Sequence, residues 1–251
     1  MRWMIVPTLA LLTMISASVH AGEVHVAVAS NFISPLKVIK TRFEKFSGHR
    51  MIIISGSTGK LYAQIKHGAP FDLLLAADSL RPRLLEEEGF AVKDSRFTYA
   101  VGRLTLWSRD PNQITKAGAE IFQQQTFNHL AMANPKTAPY GRAALQALKK
   151  LGVWGQVKDK IVQGENIGQT FLFVATKNAE LGFVARLQTR DTKNKFNGSR
   201  WDVPPDLYDP IYQDLVLLKR ARDKPSAHAL AKFLQTPEAQ KIIADFGYDL
   251  K

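Results

Sequence analysis

The sequence predicts an α/β protein built as two lobes, and three observations carry that expectation. Short apolar runs alternate with stretches of helical spacing, the pattern of strands and helices stacked in layers. The alternation runs through three units and restarts after Tyr99. A last strand and two helices then remain, too few for a third lobe, so the C-terminus is expected to return to the first.

Taken in order, the first residues read as an address label. Arg2 supplies a positive start, Met4 to Ile15 is almost uninterruptedly apolar, and Val19-His20-Ala21 is a small-x-small cleavage site. Residues 1–21 are therefore expected to be a signal peptide, with an uncleaved anchor as the alternative. Cleavage leaves 230 residues from Gly22.

Val24 to Ala29 reads as a strand. Ser34-Pro35 then signals a helix start, with Leu36, Ile39, Phe43 and Phe46 at helical spacing up to Gly48. Met51 to Ile54 is the second strand. A helix follows from Thr58, with Leu61, Tyr62 and Ile65 on one face and Gly68 and Pro70 as its stop. Asp72 to Ala76 and a helix from Ser79 to about Glu88 complete the third unit.

The second series opens with a strand over Val101 to Ser108 and another over Leu130 to Ala133. A helix from Tyr140 carries Leu145, Leu148 and Leu151 and stops at Gly152; Ile161-Val162 is a short strand. A helix from Ile167 turns Phe171 and Val174 inward, ahead of a strand at Gly182 to Val184. Residues 190 to 210, rich in Asp, Asn, Gly and Pro, read as irregular. Ile211 to Leu218 is the last strand. Ser226 is expected to cap the first closing helix, and Thr236-Pro237 to open the second, which ends at Gly247. Lobe 1 is accordingly placed at residues 22–102 and 208–251, and lobe 2 at 103–207.

Composition narrows the function. The chain has no cysteine, which excludes disulfides, zinc-thiolate sites, catalytic thiols and a lipidated N-terminus. The net charge is +12, or about +11 once Arg2 is removed, a balance that favours anionic partners. Its basic residues are scattered and do not interleave with aromatics, so nucleic acid is not expected as a partner.

In open α/β sheets ligands gather at the carboxyl ends of strands, where the next helix presents free N–H groups and a partial positive charge. Four such turns carry small or hydroxyl residues: Ala29-Ser30-Asn31, Gly56-Ser57-Thr58-Gly59, Pro139-Tyr140-Gly141 and Asn166-Ile167-Gly168. Taken singly, Ser30 and Thr58 are more simply helix caps, Tyr140 a core aromatic, and Ile167 an ordinary helix-start residue. Their recurrence at equivalent positions in both lobes favours an anion site.

Catalytic patterns are missing. Gly59-Lys60 is no nucleotide P-loop, because Ile54 and Leu61 stand where Gly and Ser or Thr are required. Neither a Gly-x-Ser-x-Gly elbow, a His-Glu-x-x-His helix nor a dinucleotide fingerprint occurs, and the histidines are far apart in sequence. No enzyme activity, resident cofactor or directly ligated metal cation is expected.

Several of these stretches resemble the motifs of periplasmic molybdate-binding proteins of ABC transporters. They are Ala27-Val28-Ala29-Ser30-Asn31-Phe32, Gly56 through Ile65, Gly68 through Asp72, Ala76-Ala77-Asp78, Asn134 through Gly141, and Leu181 through Val184. The resemblance implies a type II periplasmic binding fold, two lobes each with a mixed sheet flanked by helices, closing on molybdate or tungstate. It places the ligand contacts on Ser30, Asn31, Thr58, Tyr140 and Ile167, the last two through backbone N–H groups. It also implies delivery to a membrane permease by a periplasmic monomer. Two departures stand out: Thr58 replaces the more usual Ser, and Ala185 stands where one branch has a tyrosine whose phenol contacts the anion. With that phenol gone, the Asn31 side-chain amide is the expected extra donor.

None of the five residues is charged. Phosphate retains a proton at neutral pH and needs an acceptor, whereas molybdate, tungstate and sulfate need donors only. Burying phosphate's proton unpaired costs about 1–3 kcal/mol. Another oxyanion such as sulfate remains open as the ligand, and an exported phosphate-ester hydrolase as a different class.

Overall fold

The computed structural model describes residues 21–115, 117–190 and 196–251, so the signal segment assigned to residues 1–21 lies, apart from Ala21, outside the described residues. Two five-stranded mixed sheets make up the protein. The first is formed by β1 (Glu23–Ala29), β2 (Arg50–Gly56), β3 (Leu73–Leu75), β4 (Phe97–Gly102) and β10 (Ile211–Leu217), in the order β2-β1-β3-β10-β4. The second holds β5 (Leu104–Ser108), β6 (Leu130–Ala133), β7 (Ile161–Gly164), β8 (Leu181–Ala185) and β9 (Ser199–Asp202), in the order β7-β6-β8-β5-β9. The two orders correspond. Three parallel strands lie on one side, and each sheet's antiparallel insertion, β10 or β5, is the first strand after the chain crosses from the other sheet.

Helices follow the strands as their apolar spacing requires. After a 3-10 turn at Ser30–Phe32, α1 (Ile33–Ser47) buries Leu36, Ile39 and Phe43 on one stripe. The helices α2 (Thr58–Lys66) and α3 (Leu80–Glu87) complete the first series. In the second, the short α4 (Ile121–Gln124), α5 (Pro139–Lys150), α6 (Trp154–Val157), α7 (Ile167–Ala175) and α8 (Arg186–Arg190) surround the sheet. The chain closes with α9 (Pro225–Phe233) and α10 (Pro237–Asp245). One large apolar cluster takes in residues of both sheets, from Val26 and Phe32 to Leu106 and Phe183.

Four local expectations are corrected. The single strand expected over Val101 to Ser108 is two strands in different sheets, divided at Arg103. β5 is buried throughout and β4 in part, and the single half-buried Arg103 between them carries no turn signal, which conceals the crossing. The irregular stretch 190–210 contains β9, an edge strand with only Ser199 fully inside. Ser34 lies inside α1 rather than capping it, and Pro35 falls in the first turn, where a missing N–H breaks no bond. Ser226 is not the cap of α9: Lys224 holds that position, and the Ser226 hydroxyl donates to the Glu23 carbonyl at 3.2 Å. Phe46 shares the α1 stripe by spacing but is 80 % exposed, beside Phe233.

The returning C-terminal segment is secured by a buried carboxylate. Asp72, just before β3, is fully buried, accepts the His25 N–H at 2.7 Å and pairs with Lys224 at 2.6 Å and Arg220 at 3.3 Å. Asp72→Ala would leave those cations uncompensated, and because both remain partly in solvent the expected loss is about 2–4 kcal/mol. Urea denaturation checks this; an unchanged midpoint would mean that the pairs add nothing to the closure of the sheet.

Candidate functional site

Four helix N-termini converge where the two sheets face each other. Each follows the carboxyl end of a parallel strand: β1 into the 3-10 turn and α1, β2 into α2, β6 into α5, and β7 into α7. Between them lies a small cavity of about 10 Å³. Ser30, Asn31, Thr58, Tyr140 and Ile167 all line it, together with Ser57, and no charged side chain does. Sequence separation between these residues reaches 137 positions, so only the fold brings them together.

The N–H groups offered there follow from helix geometry, since the first-turn donors have no intrahelical acceptor. In α7 the Gly168 N–H goes to Ser30 Oγ at 3.2 Å and the Gln169 N–H to the Asn166 cap at 3.0 Å, which leaves the Ile167 N–H for the cavity. In α5 the first residue is Pro139, so the leading donor is Tyr140 N–H. In α2 the Gly59 N–H is taken by the Thr137 carbonyl at 2.8 Å, leaving that of Thr58 ahead of it.

Capping does not explain the hydroxyls. Thr58 sits one residue inside α2, and its Oγ1 accepts the Ala77 N–H at 3.0 Å. Ser30 Oγ accepts from Gly168 rather than from its own helix. With those lone pairs engaged, the two O–H bonds are left as donors. Ser57 does hold the capping position of α2, yet its side chain makes no capping bond, and its buried Oγ has no partner in the protein. The sequence reading included Ser57 in the turn but not among the contact residues; only its burial distinguishes it.

Asn31 requires a correction. Its side-chain amide was expected to face the anion, but both hydrogens are committed within the protein, to Gln213 Oε1 at 2.9 Å and Tyr248 Oη at 2.8 Å. Gln213 also accepts from Tyr99 at 3.2 Å and donates to Tyr140 Oη at 3.2 Å. Asn31 thus lines the cavity while its amide anchors a buried network joining α5 to the first sheet. Burial pushes the phenols of Tyr99, Tyr140 and Tyr248 above the ordinary tyrosine range, so the network stays uncharged. Ala185, whose backbone N–H donates to Gln188 at 2.9 Å, brings no donor side chain.

Around the cavity the two halves are latched. Besides the Gly59 and Ser30 contacts, Arg81 donates to the Lys136 carbonyl at 3.0 Å, Lys60 pairs with Glu165 at 2.9 Å, and Arg142 lies 3.8 Å from Asp78. A Cβ on Gly59 would meet Thr137 Cα at 2.9 Å, so this approach needs glycine. Among the described residues no group of three or more His, Asp or Glu is placed to hold a metal ion.

A family model for bacterial extracellular solute-binding proteins matches residues 24–249. The molybdate-binding protein ModA of Azotobacter vinelandii is 49 % identical over 238 residues, covering 95 % of this chain and 94 % of that protein. ModA of Rhodobacter capsulatus is 46 % identical over 240 residues, covering 96 % and 93 %. Among solved structures, a periplasmic molybdate-binding protein from Azotobacter vinelandii superimposes with a TM-score of 0.87 at 37 % identity, covering 91 % of this chain and 99 % of that one. The sulfate-binding protein SubI of Mycobacterium tuberculosis shares the fold, with a TM-score of 0.77 at 13 % identity over 91 % and 87 %.

Asn31→Ala removes two buried hydrogen bonds and leaves Gln213 and Tyr248 short of a partner. The expected loss is about 1–3 kcal/mol in the ligand-free protein. A ligand-free melting temperature equal to the parent's would show that the network carries no stability.

Proposed function

Since the chain belongs to the bacterial extracellular solute-binding proteins, we propose that it captures molybdate, with tungstate as an equivalent ligand, in the cleft between its two lobes. The observation that carries this reading is the charge-free cavity ringed by helix N-termini, in a chain nearly half identical over its length to proteins named for molybdate binding.

Physically, the dianion is held by neutral dipoles. Each helix N-terminus carries roughly half a positive charge. The Thr58, Tyr140 and Ile167 N–H groups and the Ser30 and Thr58 hydroxyls point donors at one small volume. Ser30 and Thr58 each already accept one backbone N–H bond, which orients their O–H groups as donors toward the cavity, and no carboxylate lines it to accept the proton of hydrogenphosphate. Fully deprotonated oxyanions are therefore favoured, and the choice among them is one of size. Likeness to the molybdate-named relatives supports the larger anion.

In this reading residues 22–102 with 208–251 form one lobe and 103–207 the other, and ligand completes the latch between them. The protein is a periplasmic monomer whose signal peptide is removed at Ala21. It hands its ligand to the permease of an ABC transporter and performs no catalysis.

Molybdate and tungstate should raise the unfolding free energy by about 4 kcal/mol at a thousandfold excess over Kd, with phosphate without effect. A thermal-shift series with molybdate, tungstate, sulfate and phosphate reads this. A flat response to molybdate beside a large shift with sulfate or phosphate would overturn the assignment. Closure has its own test: molybdate should lower the radius of gyration in solution scattering for the parent but not for Gly59→Val, whose side chain would strike Thr137. Equal scattering curves for the empty and loaded parent would count against hinge closure.

A further inference from the structure

We propose that Ser57 is a further ligand-contacting residue, its Oγ–H donating to an oxygen of the bound anion. The inference rests on the function proposed above and deepens it.

Serine at a helix N-cap ordinarily accepts a bond from an N–H of the first turn. Ser57 occupies that position in the nine-residue helix α2 with extended backbone, φ −74° and ψ 144°, and still makes no such bond. The residue is 2 % exposed, and its Oγ is shielded from solvent without a hydrogen-bond partner in the protein. Native interiors seldom keep a hydroxyl in that state, because an unpaired buried polar group opposes folding. The position is explained once the lining is considered: Ser57 faces the same cavity as Ser30, Tyr140 and Ile167. An anion there would supply the missing acceptor.

The donor balance points the same way. At Ala185 no phenol is available, and both hydrogens of the Asn31 amide are spent on Gln213 and Tyr248. The first lobe thus lacks the side-chain donor that the sequence led one to expect from Asn31. Ser57 restores it from the turn next door. Its hydroxyl differs from those of Ser30 and Thr58, which are each oriented by a backbone N–H; that of Ser57 is free to rotate onto the ligand.

Isothermal titration with sodium molybdate, run on the parent and on Ser57→Ala, tests the assignment alongside ligand-free melting temperatures. Loss of a hydrogen bond to a charged partner should weaken binding by about tenfold to a hundredfold. The ligand-free melting temperature should hold or rise, since the substitution removes an unpaired buried group. If the parent binds molybdate and Ser57→Ala binds within threefold of it, the contact is overturned. A lowered ligand-free melting temperature with affinity within threefold would assign the hydroxyl to capping and overturn it equally. A parent that does not bind molybdate refutes the function proposed above, an outcome separable from either of these.

Discussion

A doubly charged ion removed from water without a countercharge has to be held by dipoles alone, and under the proposed function that requirement is the one the charge-free cavity answers. Fixed charges near the cavity are paired with each other, as in Asp78 with Arg81 and Lys60 with Glu165, so they contribute little net field inside. Positive potential must come from the ends of helices. A helix N-terminus can be aimed at a point only if a strand delivers it there, and parallel strands deliver several side by side. Two such sheets, facing each other, bring four termini together. Sheet order and strand direction produce that convergence, and Gly59 allows the close approach of the two halves beside it.

Neutrality extends outward from the cavity. Asn31, Tyr99, Tyr140, Gln213 and Tyr248 form a buried polar network with no ionised member, and the desolvated phenols are harder to ionise than usual. A buried negative charge there would repel the ligand, and a buried positive one would bind it too generally. The network also fixes the crossing between sheets. A Cβ at Gly102 would come within 2.2 Å of Tyr140 Oη and 2.7 Å of Gln213 Nε2. The last residue of β4 is therefore glycine because side chains from both lobes meet against it.

Much of this was legible in the sequence, for definable reasons. Helix stripes such as Leu36, Ile39 and Phe43 and the strand-to-helix turns at Ser30, Thr58, Tyr140 and Ile167 are local features, written in spacing and residue type. What the sequence withheld was non-local. The break at Arg103 is hard to see because strand-forming residues flank a single half-buried position with no turn signal between them. Asn31 has the right chemistry and position for a ligand contact, but its partners, Gln213 and Tyr248, lie 182 and 217 residues away. Ser57 is one small residue of a turn by sequence, and only the structure shows its hydroxyl buried without a capping bond. Edge strand β9 is half exposed, so its polar composition conceals it among loops.

The strand order also governs how the two sheets can be completed. All five strands of the second sheet come from one continuous stretch, residues 104 to 202. In the first sheet, β10 lies between β3 and β4, and Asp249 exchanges backbone hydrogen bonds with Val101 at 2.8 and 3.1 Å. For a chain delivered N-terminus first, the middle segment can assemble while the earlier segment still waits for its central strand. The half of the cavity contributed by Ser30, Asn31 and Thr58 rests on a sheet that stays open until residues 211–217 arrive. The cavity is thus finished late, by the C-terminal segment of the polypeptide, and a chain ending before residue 211 would have all five strands of its second sheet and a first sheet without β10.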